Sequence, residues 1–246
     1  MDFKPLYELR LFNLEEFRKA MGMEGRKEKS TLLHLRMHGM VQLLRRELYC
    51  MKDMSTGQLM ADRFEIACHV SEGSYLSFQA ALDYHGLTRE PVKQVYISGG
   101  LRFYAFDDGL GTTFHYCRDV IGPYGLMRSP DNPVILTSNI ERTFVDCLDR
   151  IDRAGGLDNF LYAIDNIRAL DEDNLKDYLD RYALPSLYQK AGFLLERVSQ
   201  NGTVSSDFID FCLQHVNTNT KRLTDTEDCD VHVKRWNLWV PSRIMG

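Results

Sequence analysis

Residues 13–51 read NLEEFRKAMGMEGRKEKSTLLHLRMHGMVQLLRRELYCM, and their first part has the pattern of a capped helix. Asn13 and Glu16 fit a capping box, in which each side chain accepts a hydrogen bond from the other residue's backbone N–H. Apolar residues then recur on one helical face, at Leu14, Phe17 and Met21. Gly22 follows, and glycine often ends a helix because it adopts left-handed backbone angles without strain. We therefore expect a helix that begins after Asn13 and stops at Gly22.

A second helix is expected over residues 26–38, where Leu32, Leu33 and Leu35 recur among polar residues. Basic and hydroxyl side chains crowd its first turns, followed one turn later by a histidine. The set is Arg26, Lys27, Lys29, Ser30, Thr31 and His34. Cations at a helix N-terminus oppose the helix macrodipole by roughly a few tenths of a kcal/mol each. A bound phosphate or base edge would explain their placement.

Gly39 separates the second helix from residues 40–46 and 47–51, which we predict to be two short strands, or a strand and a turn. Two helices followed by a β-ribbon are typical of a winged helix-turn-helix, whose second helix enters the major groove of DNA. The wing would bring Arg45 and Arg46 to the phosphate backbone. We therefore predict that the head, residues 1–56, binds double-stranded DNA through Arg26, Lys27, Lys29, Ser30, Thr31, His34, Arg45 and Arg46.

The charges are distributed in a way that agrees with this prediction. Residues 1–52 contain 11 Lys or Arg and 7 Asp or Glu, a net charge of +4, whereas residues 53–246 contain 19 and 28, a net charge of −9. Phosphate attracts the first part and repels the second, so nucleic-acid contact should be confined to the head. The alternative is a solvated face or a protein-docking face, and Glu24 and Glu28 beside the second helix favour it.

The rest of the chain predicts helices around one small sheet. Residues 60–69 and 77–85 have helical patterns, and residues 92–98, 102–106 and 112–117 alternate like strands of an antiparallel meander. Ser138 and Glu141 fit a second capping box, and further helices are expected over 157–167, 173–182, 187–198 and 207–216, before a strand near Trp236 and Trp239. The predicted fold class is α+β: a winged helix-turn-helix, then a mixed domain of a small, mainly antiparallel sheet packed with several helices. We divide it into the body, residues 57–200, and the tail, residues 201–246, packed on the body.

Acidic residues are concentrated over residues 141–152, where two interpretations are open. Asp146 with Arg150, and Asp149 with Arg153, have the i, i+4 spacing of salt bridges on an exposed helix. The alternative is a metal-dependent nuclease that uses Asp146, Asp149 or Glu141 with Mg²⁺ or Mn²⁺. No G-x-S-x-G, Walker A or dinucleotide-binding pattern occurs. We assign no catalytic residue, metal ligand or cofactor, and we expect a protein that is not an enzyme.

Several absences predict the compartment. No run of 18 apolar residues occurs, and the first residues have neither a basic n-region nor an apolar h-region. The six cysteines are scattered, without a C-x-x-C pair, so we expect reduced thiols. These patterns favour a cytoplasmic protein that does not enter a membrane. There is also no coiled-coil seam that would predict an oligomer.

Four short motifs, together with the head, resemble the AbiEi-type antitoxins, also described as predicted transcriptional regulators of viral defence systems. In chain order they are Ser74 to Leu82 with His85-Gly86-Leu87, Val95-Tyr96-Ile97, Glu141 to Leu148 with Gly155-Gly156, and Ala191 to Glu196. Their order and similar spacing carry the resemblance, which covers about residues 5–197. The last 50 or so residues show no match.

The resemblance implies a repressor and antitoxin that is not an enzyme. The winged head of such a protein would repress its own operon at promoter repeats, and its body would neutralise a nucleotidyltransferase-like toxin encoded beside it. Two other hypotheses follow from the residues alone. One is the nuclease with a DNA-targeting head, and the other is an interaction scaffold whose head docks a protein.

Overall fold

The computed structural model describes residues 2–245, which form an α+β fold of ten α-helices and twelve strands in three sheets. The head contributes α1 (Lys4–Leu9), β1 (Leu11–Asn13), α2 (Leu14–Met21), α3 (Arg26–Met37), β2 (Val41–Arg45) and β3 (Leu48–Met51). Its three strands pair antiparallel in the order β1-β3-β2. Every helix within residues 2–245 is too short or too polar to cross a membrane.

Helices α2 and α3 of the head begin and end where the sequence predicts, whereas α1 and β1 were not among the predicted elements. The Asn13 side chain accepts a hydrogen bond from the Glu16 N–H at 3.0 Å, and the Glu16 carboxylate accepts one from the Asn13 N–H at 2.7 Å. Gly22 ends α2 in the left-handed conformation. The helices and the sheet enclose an apolar core that buries Leu6, Phe12, Phe17, Leu32, Leu35, Val41 and Met51.

The body continues with one six-stranded sheet and six helices. In chain order these are α4 (Arg63–His69), β4 (Tyr75–Leu76), α5 (Phe78–Tyr84), β5 (Gln94–Ser98), β6 (Phe106–Asp107), β7 (Thr113–Tyr116), β8 (Leu126–Arg128), β9 (Leu136–Ser138), α6 (Ile140–Asp149), α7 (Leu157–Asn166), α8 (Glu172–Tyr182) and α9 (Pro185–Glu196). The strand order is β6-β7-β5-β4-β9-β8. Helices α5 to α9 pack together over one extended apolar core.

The predicted antiparallel meander is wrong. Strand β5 pairs with β7 in parallel, and β4 pairs with β9 in parallel, while the other three pairs of this sheet are antiparallel. The middle strand expected over residues 102–106 is reduced to the two residues of β6 at the sheet edge. The cause lies in the segment after β5, where the Leu101 N–H donates to Ser71 Oγ and Phe103 turns into the core. This segment leaves the sheet, so the chain returns parallel to β5.

Helix α6 is capped one residue later than predicted, and it is buried rather than exposed. Asn139, in extended conformation, accepts a hydrogen bond from the Arg142 N–H. Ser138 instead bonds Thr143 through its hydroxyl, and Glu141 accepts from the Asp171 N–H where α8 begins. Residues 141–148 are all buried. The predicted capping box of Ser138 is therefore wrong, and so is the exposed helix with its i, i+4 salt bridges.

The tail packs into the core of the body. It forms α10 (Ser206–Gln214) and a small sheet of β10 (Lys221–Arg222), β11 (Val231–Val233) and β12 (Leu238–Val240), in the order β10-β12-β11. Strand β12 contains Trp239, as the sequence led us to expect. Trp236 lies just before β12 and is fully buried against α9.

The head and the body share a third apolar core. Leu11, Leu44, Leu48 and Cys50 of the head lie in one buried cluster with body residues that include Ile66, Ala67, Val95, Ile97 and Phe114. Polar contacts reinforce this interface: Arg10 pairs with Glu65, and His69 Nε2 lies 2.8 Å from Glu16 Oε2. The head therefore packs against the body through a shared core. Its binding should be measured with the full chain.

Candidate nucleic-acid interface

Helix α3 divides its residues sharply between the head core and solvent. Its buried side is formed by Glu28, Thr31, Leu32 and Leu35. Its outer side exposes four cations, a hydroxyl, an imidazole and two apolar side chains: Arg26, Lys27, Lys29, Arg36, Ser30, His34, Leu33 and Met37. The outer face thus carries all four formal positive charges of the helix.

The acid within α3 faces inward. Glu28 is 4% exposed, and its carboxylate accepts hydrogen bonds from Arg18 Nε at 2.8 Å and Nη2 at 3.3 Å. Hydrogen bonding from Arg18 lowers the pKa of the Glu28 carboxyl, which keeps it ionised beside its partner. Its charge is matched within the head, so the outer face of α3 carries no carboxylate of its own. The position of Glu28 removes one of the two objections to DNA binding that the sequence raised.

Thr31 was assigned to the DNA-contacting set, and the structure corrects this. It is 8% exposed, with its hydroxyl 3.5 Å from the Met23 sulfur. The reason is helical geometry: position 31 lies three residues after Glu28 and four before Leu35, on the side that faces the core. Leu33, by contrast, is 56% exposed, although its apolar character suggested a core position.

The structure also corrects the assignment of Arg45. Its guanidinium lies over the rings of Phe103 and Phe106, 5.2 and 5.9 Å from their centroids, and it donates to the Val70 carbonyl at 3.4 Å. Burial lowers the pKa of Arg45. A register shift in β2 between Leu43 and Arg45 redirects the side chain towards the body. Arg45 therefore joins the head to the body instead of extending from a wing.

The remaining predicted residues are exposed, and Arg46 lies apart from the helix. It occupies the turn between β2 and β3, with 91% of its side chain accessible and Glu47 at 3.9 Å. Glu47 completes this turn at a positive φ of 64°. Arg26, Lys27, Lys29, Ser30 and His34 all lie on the outer side of α3.

Sequence analysis missed part of this surface. A groove of about 480 Å³ lies between α3 and β2, lined by Leu33, Arg36, Met37, Gly39, Val41, Gln42, Leu43 and Lys52. Met37 is 75% exposed at its edge. The signal was present in the sequence, because positions 26, 30, 33 and 37 share one helical face opposite Leu32 and Leu35.

A larger cleft of about 660 Å³ separates the head from the body, but its charges are mixed. Its walls include Arg18, Arg45, Arg46 and His69, together with Glu15, Glu16, Glu47 and Glu72. The four glutamates outnumber the three arginines there, so the cleft does not favour an anion. The outer face of α3 is the more electropositive candidate.

Two of the three carboxylates in the nuclease hypothesis, Asp146 and Glu141, have separate structural contacts. Asp146 accepts a hydrogen bond from the Tyr182 hydroxyl and lies 3.5 Å from Arg142 Nε. Burial raises the pKa of Asp146 to about 6, against the opposing effect of Arg142. Glu141 binds the first turn of α8. Within residues 2–245, no three His, Cys, Asp or Glu side chains are grouped to hold a metal ion.

Comparison with known proteins finds a solved structure with a similar fold. No family model matches the chain, and no curated protein matches it. The crystal structure of the RV2827C protein from Mycobacterium tuberculosis is similar, with a TM-score of 0.68 and 17% sequence identity. The match covers 96% of this chain and 88% of that one. At this identity the likeness shows that the two chains share a fold over nearly their whole lengths.

Proposed function

We propose that the head binds double-stranded DNA as a winged helix-turn-helix and that the protein is a transcriptional regulator. The observation that carries this proposal is the polarity of α3, which turns Arg26, Lys27, Lys29 and Arg36 outward while Glu28 is held inward by Arg18. A helix face that carries four cations and no carboxylate of its own attracts phosphate and speeds association with DNA. A regulator of this kind would act in the cytoplasm of a bacterium, where the DNA is.

The connectivity of the head supports the proposal. Its order α1-β1-α2-α3-β2-β3, with β3 central in the sheet, sets two helices before a β-ribbon. In a winged helix-turn-helix the second of these helices lies in the major groove and the ribbon approaches the backbone. Here α3 would lie in the major groove, and Arg46 at the β2–β3 turn would contact a phosphate.

The side chains of the outer face suit both positioning and base recognition. Lysine and arginine bind phosphate oxygens, while Arg26 and Ser30 can also donate to base edges in the major groove. Leu33 and Met37 offer apolar contact, which in this groove suits the thymine methyl group. The surface therefore provides for more than electrostatic attraction.

A double substitution tests DNA binding directly. Lys27→Ala with Lys29→Ala is expected to weaken binding of the full chain to a duplex from its own promoter by roughly 10- to 30-fold, because each lost phosphate contact contributes about 1 kcal/mol. The measurement is fluorescence anisotropy at fixed low salt. Both lysines are exposed, so the variant should retain wild-type stability.

Two control variants sharpen this experiment. Lys93→Ala removes an exposed lysine from the body, and Thr31→Val changes a buried position of α3. Both should bind the duplex like the wild type. If Lys93→Ala weakened binding equally, the loss would come from the lower net charge of the protein and not from α3. If the double variant bound the duplex as tightly as the wild type, α3 would not be the contact surface.

The second half of the proposal is neutralisation of a nucleotidyltransferase-like toxin by the body. It rests on the resemblance of residues 74–82, 85–87, 95–97, 141–148, 155–156 and 191–196 to the AbiEi-type antitoxins. Leu101 and Tyr104 add support, because they are 77% and 95% exposed. Tyr104 also lines a shallow pocket together with Arg102 and Arg118. Exposed aromatic and arginine side chains are enriched where proteins meet.

Coexpression tests this half. The full chain should relieve growth arrest caused by the nucleotidyltransferase-like protein encoded beside it, and Leu101→Asp with Tyr104→Ala should relieve it less. A matched Leu110→Asp variant, at another exposed apolar position, should behave like the wild type. The absence of such a neighbouring gene, or full toxicity in the presence of the wild-type chain, would reject the antitoxin role and leave DNA binding unaffected.

A further inference from the structure

Two histidines lie together on the outer side of α3. His34 is in the last turn of the helix, and His38 caps its C-terminal end four residues later. Both are exposed, and their ring centroids are 4.0 Å apart with the planes inclined by 38°. Residues spaced i, i+4 on a helix are surface neighbours, which is why two histidines at this spacing can bind the same metal ion.

The ring of His38 is held in a defined tautomer. Its Nδ1 lies 2.9 Å from the His34 carbonyl oxygen, which also accepts the His38 backbone N–H at 3.1 Å. A carbonyl oxygen can only accept, so Nδ1 must carry the proton. In the neutral ring Nε2 then has a free lone pair. A hydrogen bond from one ring nitrogen to a backbone carbonyl is the arrangement that orients histidines for metal binding through the other nitrogen.

The His34 ring is free to adjust. Among residues 2–245 it has no hydrogen-bond partner, and its side chain is exposed. Imidazole nitrogens bind Zn²⁺ at about 2.0–2.1 Å, so two ligands of one ion lie roughly 3 Å apart. Because the ring centroids are 4.0 Å apart, both rings are within reach of one ion once the His34 side chain rotates to turn a ring nitrogen towards His38 Nε2.

We propose that His34 and His38 form a binding site for a divalent transition-metal ion of the Cu²⁺, Ni²⁺ or Zn²⁺ class. Neutral imidazole is a favourable ligand for each of these ions. No group of three metal-ligating side chains exists within residues 2–245, so water would complete the coordination. The site is therefore of the open, exchangeable kind, unlike the four-ligand sites that stabilise small folds.

The chain provides a matched control at the end of α10. His215 is also exposed, and its Nδ1 lies 2.8 Å from the carbonyl of the residue four positions earlier. That residue is Phe211, which cannot bind a metal, so His215 reproduces the capping contact of His38 without a second imidazole. Any effect that depends on the pair should be absent at His215.

Titration of the full chain with Ni²⁺ alone tests the site, because imidazole is a favourable ligand for this ion. The wild type should bind one Ni²⁺ that broadens the imidazole NMR signals of His34 and His38. His34→Gln and His38→Gln should each lower the affinity at least about 10-fold, since even second-shell changes at metal sites cost about 10- to 100-fold. His215→Gln should leave it unchanged. No binding by the wild type, undiminished affinity in both variants, or an equal loss in His215→Gln would overturn the proposal.

A consequence for regulation rests on the proposed DNA binding. A dication at this pair adds positive charge to the outer face of α3, so Ni²⁺ should tighten duplex binding by roughly fivefold at low salt, the effect of one added charge contact. His38→Gln should abolish the tightening. Failure to bind the duplex with or without Ni²⁺ would reject the proposed function and leave the titration result standing. Duplex binding that Ni²⁺ does not change would reject the coupling alone.

Discussion

Replacing Trp236 with alanine is expected to lower the free energy of unfolding by about 3–5 kcal/mol, the usual cost of truncating a buried tryptophan. The ring is fully buried and lies against the backbone of Gly192 in α9, where a Cβ would come within 2.0 Å of its edge. Its indole N–H donates to the Glu196 carboxylate at 2.8 Å. The substitution would leave a cavity between α9 and the tail, and the Glu196 carboxylate would keep only its contact with Arg235 Nε at 3.2 Å.

Urea unfolding of the full chain, followed by circular dichroism, measures this loss. Trp239→Ala is the matched control, because Trp239 lies three residues later, in β12, and is 40% exposed. We expect its effect to be less than half as large. Similar losses for the two variants would show that the contact of Trp236 with Gly192 does not anchor the tail.

Replacing Arg142 with alanine is expected to cost a similar amount, about 3–5 kcal/mol, for an electrostatic reason. Arg142 is 1% exposed; it donates to Asp119 at 2.8 Å and to the Tyr75 hydroxyl at 2.7 Å, and it also donates to the Gly122 and Tyr124 carbonyls. Asp146, also buried, depends on the same guanidinium. Removal of the cation would leave Asp146 with one hydrogen bond, from Tyr182, and a charge that the interior cannot solvate.

A double substitution separates charge from packing. Arg142→Met with Asp146→Leu removes both partners of the buried pair, and it should recover part of the stability lost in Arg142→Ala, because matched apolar replacements of buried pairs are often nearly neutral. Arg150→Ala breaks an exposed pair with Asp152 and should cost about 1 kcal/mol or less. Equal unfolding free energies for Arg142→Ala and Arg150→Ala in urea would contradict this account.

Local signals explain why helices α2 and α3 of the head could be predicted closely. The capping box of Asn13 and Glu16, the stop at Gly22 and the boundaries of α3 depend on residues within a few positions of each other. Arg45 depends on Phe103 and Phe106, which are 58 and 61 positions away in the chain, so no local pattern reveals its contact with the body. Thr31 was assigned to the DNA-contacting set because its side chain is polar, although its position on the helix places it on the same side as the buried Leu35.

In the body, the elements were easier to predict than their pairing. Alternation located β5 and β7, but only the path of residues 99–105 away from the sheet decides that these strands run parallel. The buried character of α6 was missed because its charges match partners on other elements, such as Asp119 and Tyr182. The spacing of His34 and His38 was visible in the sequence, whereas the hydrogen bond that orients His38 needs the folded helix end.

The central claim is that the outer face of α3 binds DNA through its cations, and the salt dependence of duplex binding by the full chain tests it most directly. Counterion release predicts that the logarithm of affinity falls linearly with the logarithm of salt concentration, with a slope of about −0.9 per phosphate contacted. We expect a steep negative slope for the wild type, reduced in magnitude by about 1 for each of Lys27→Ala and Lys29→Ala. A flat slope, or one that these substitutions leave unchanged, would contradict the claim.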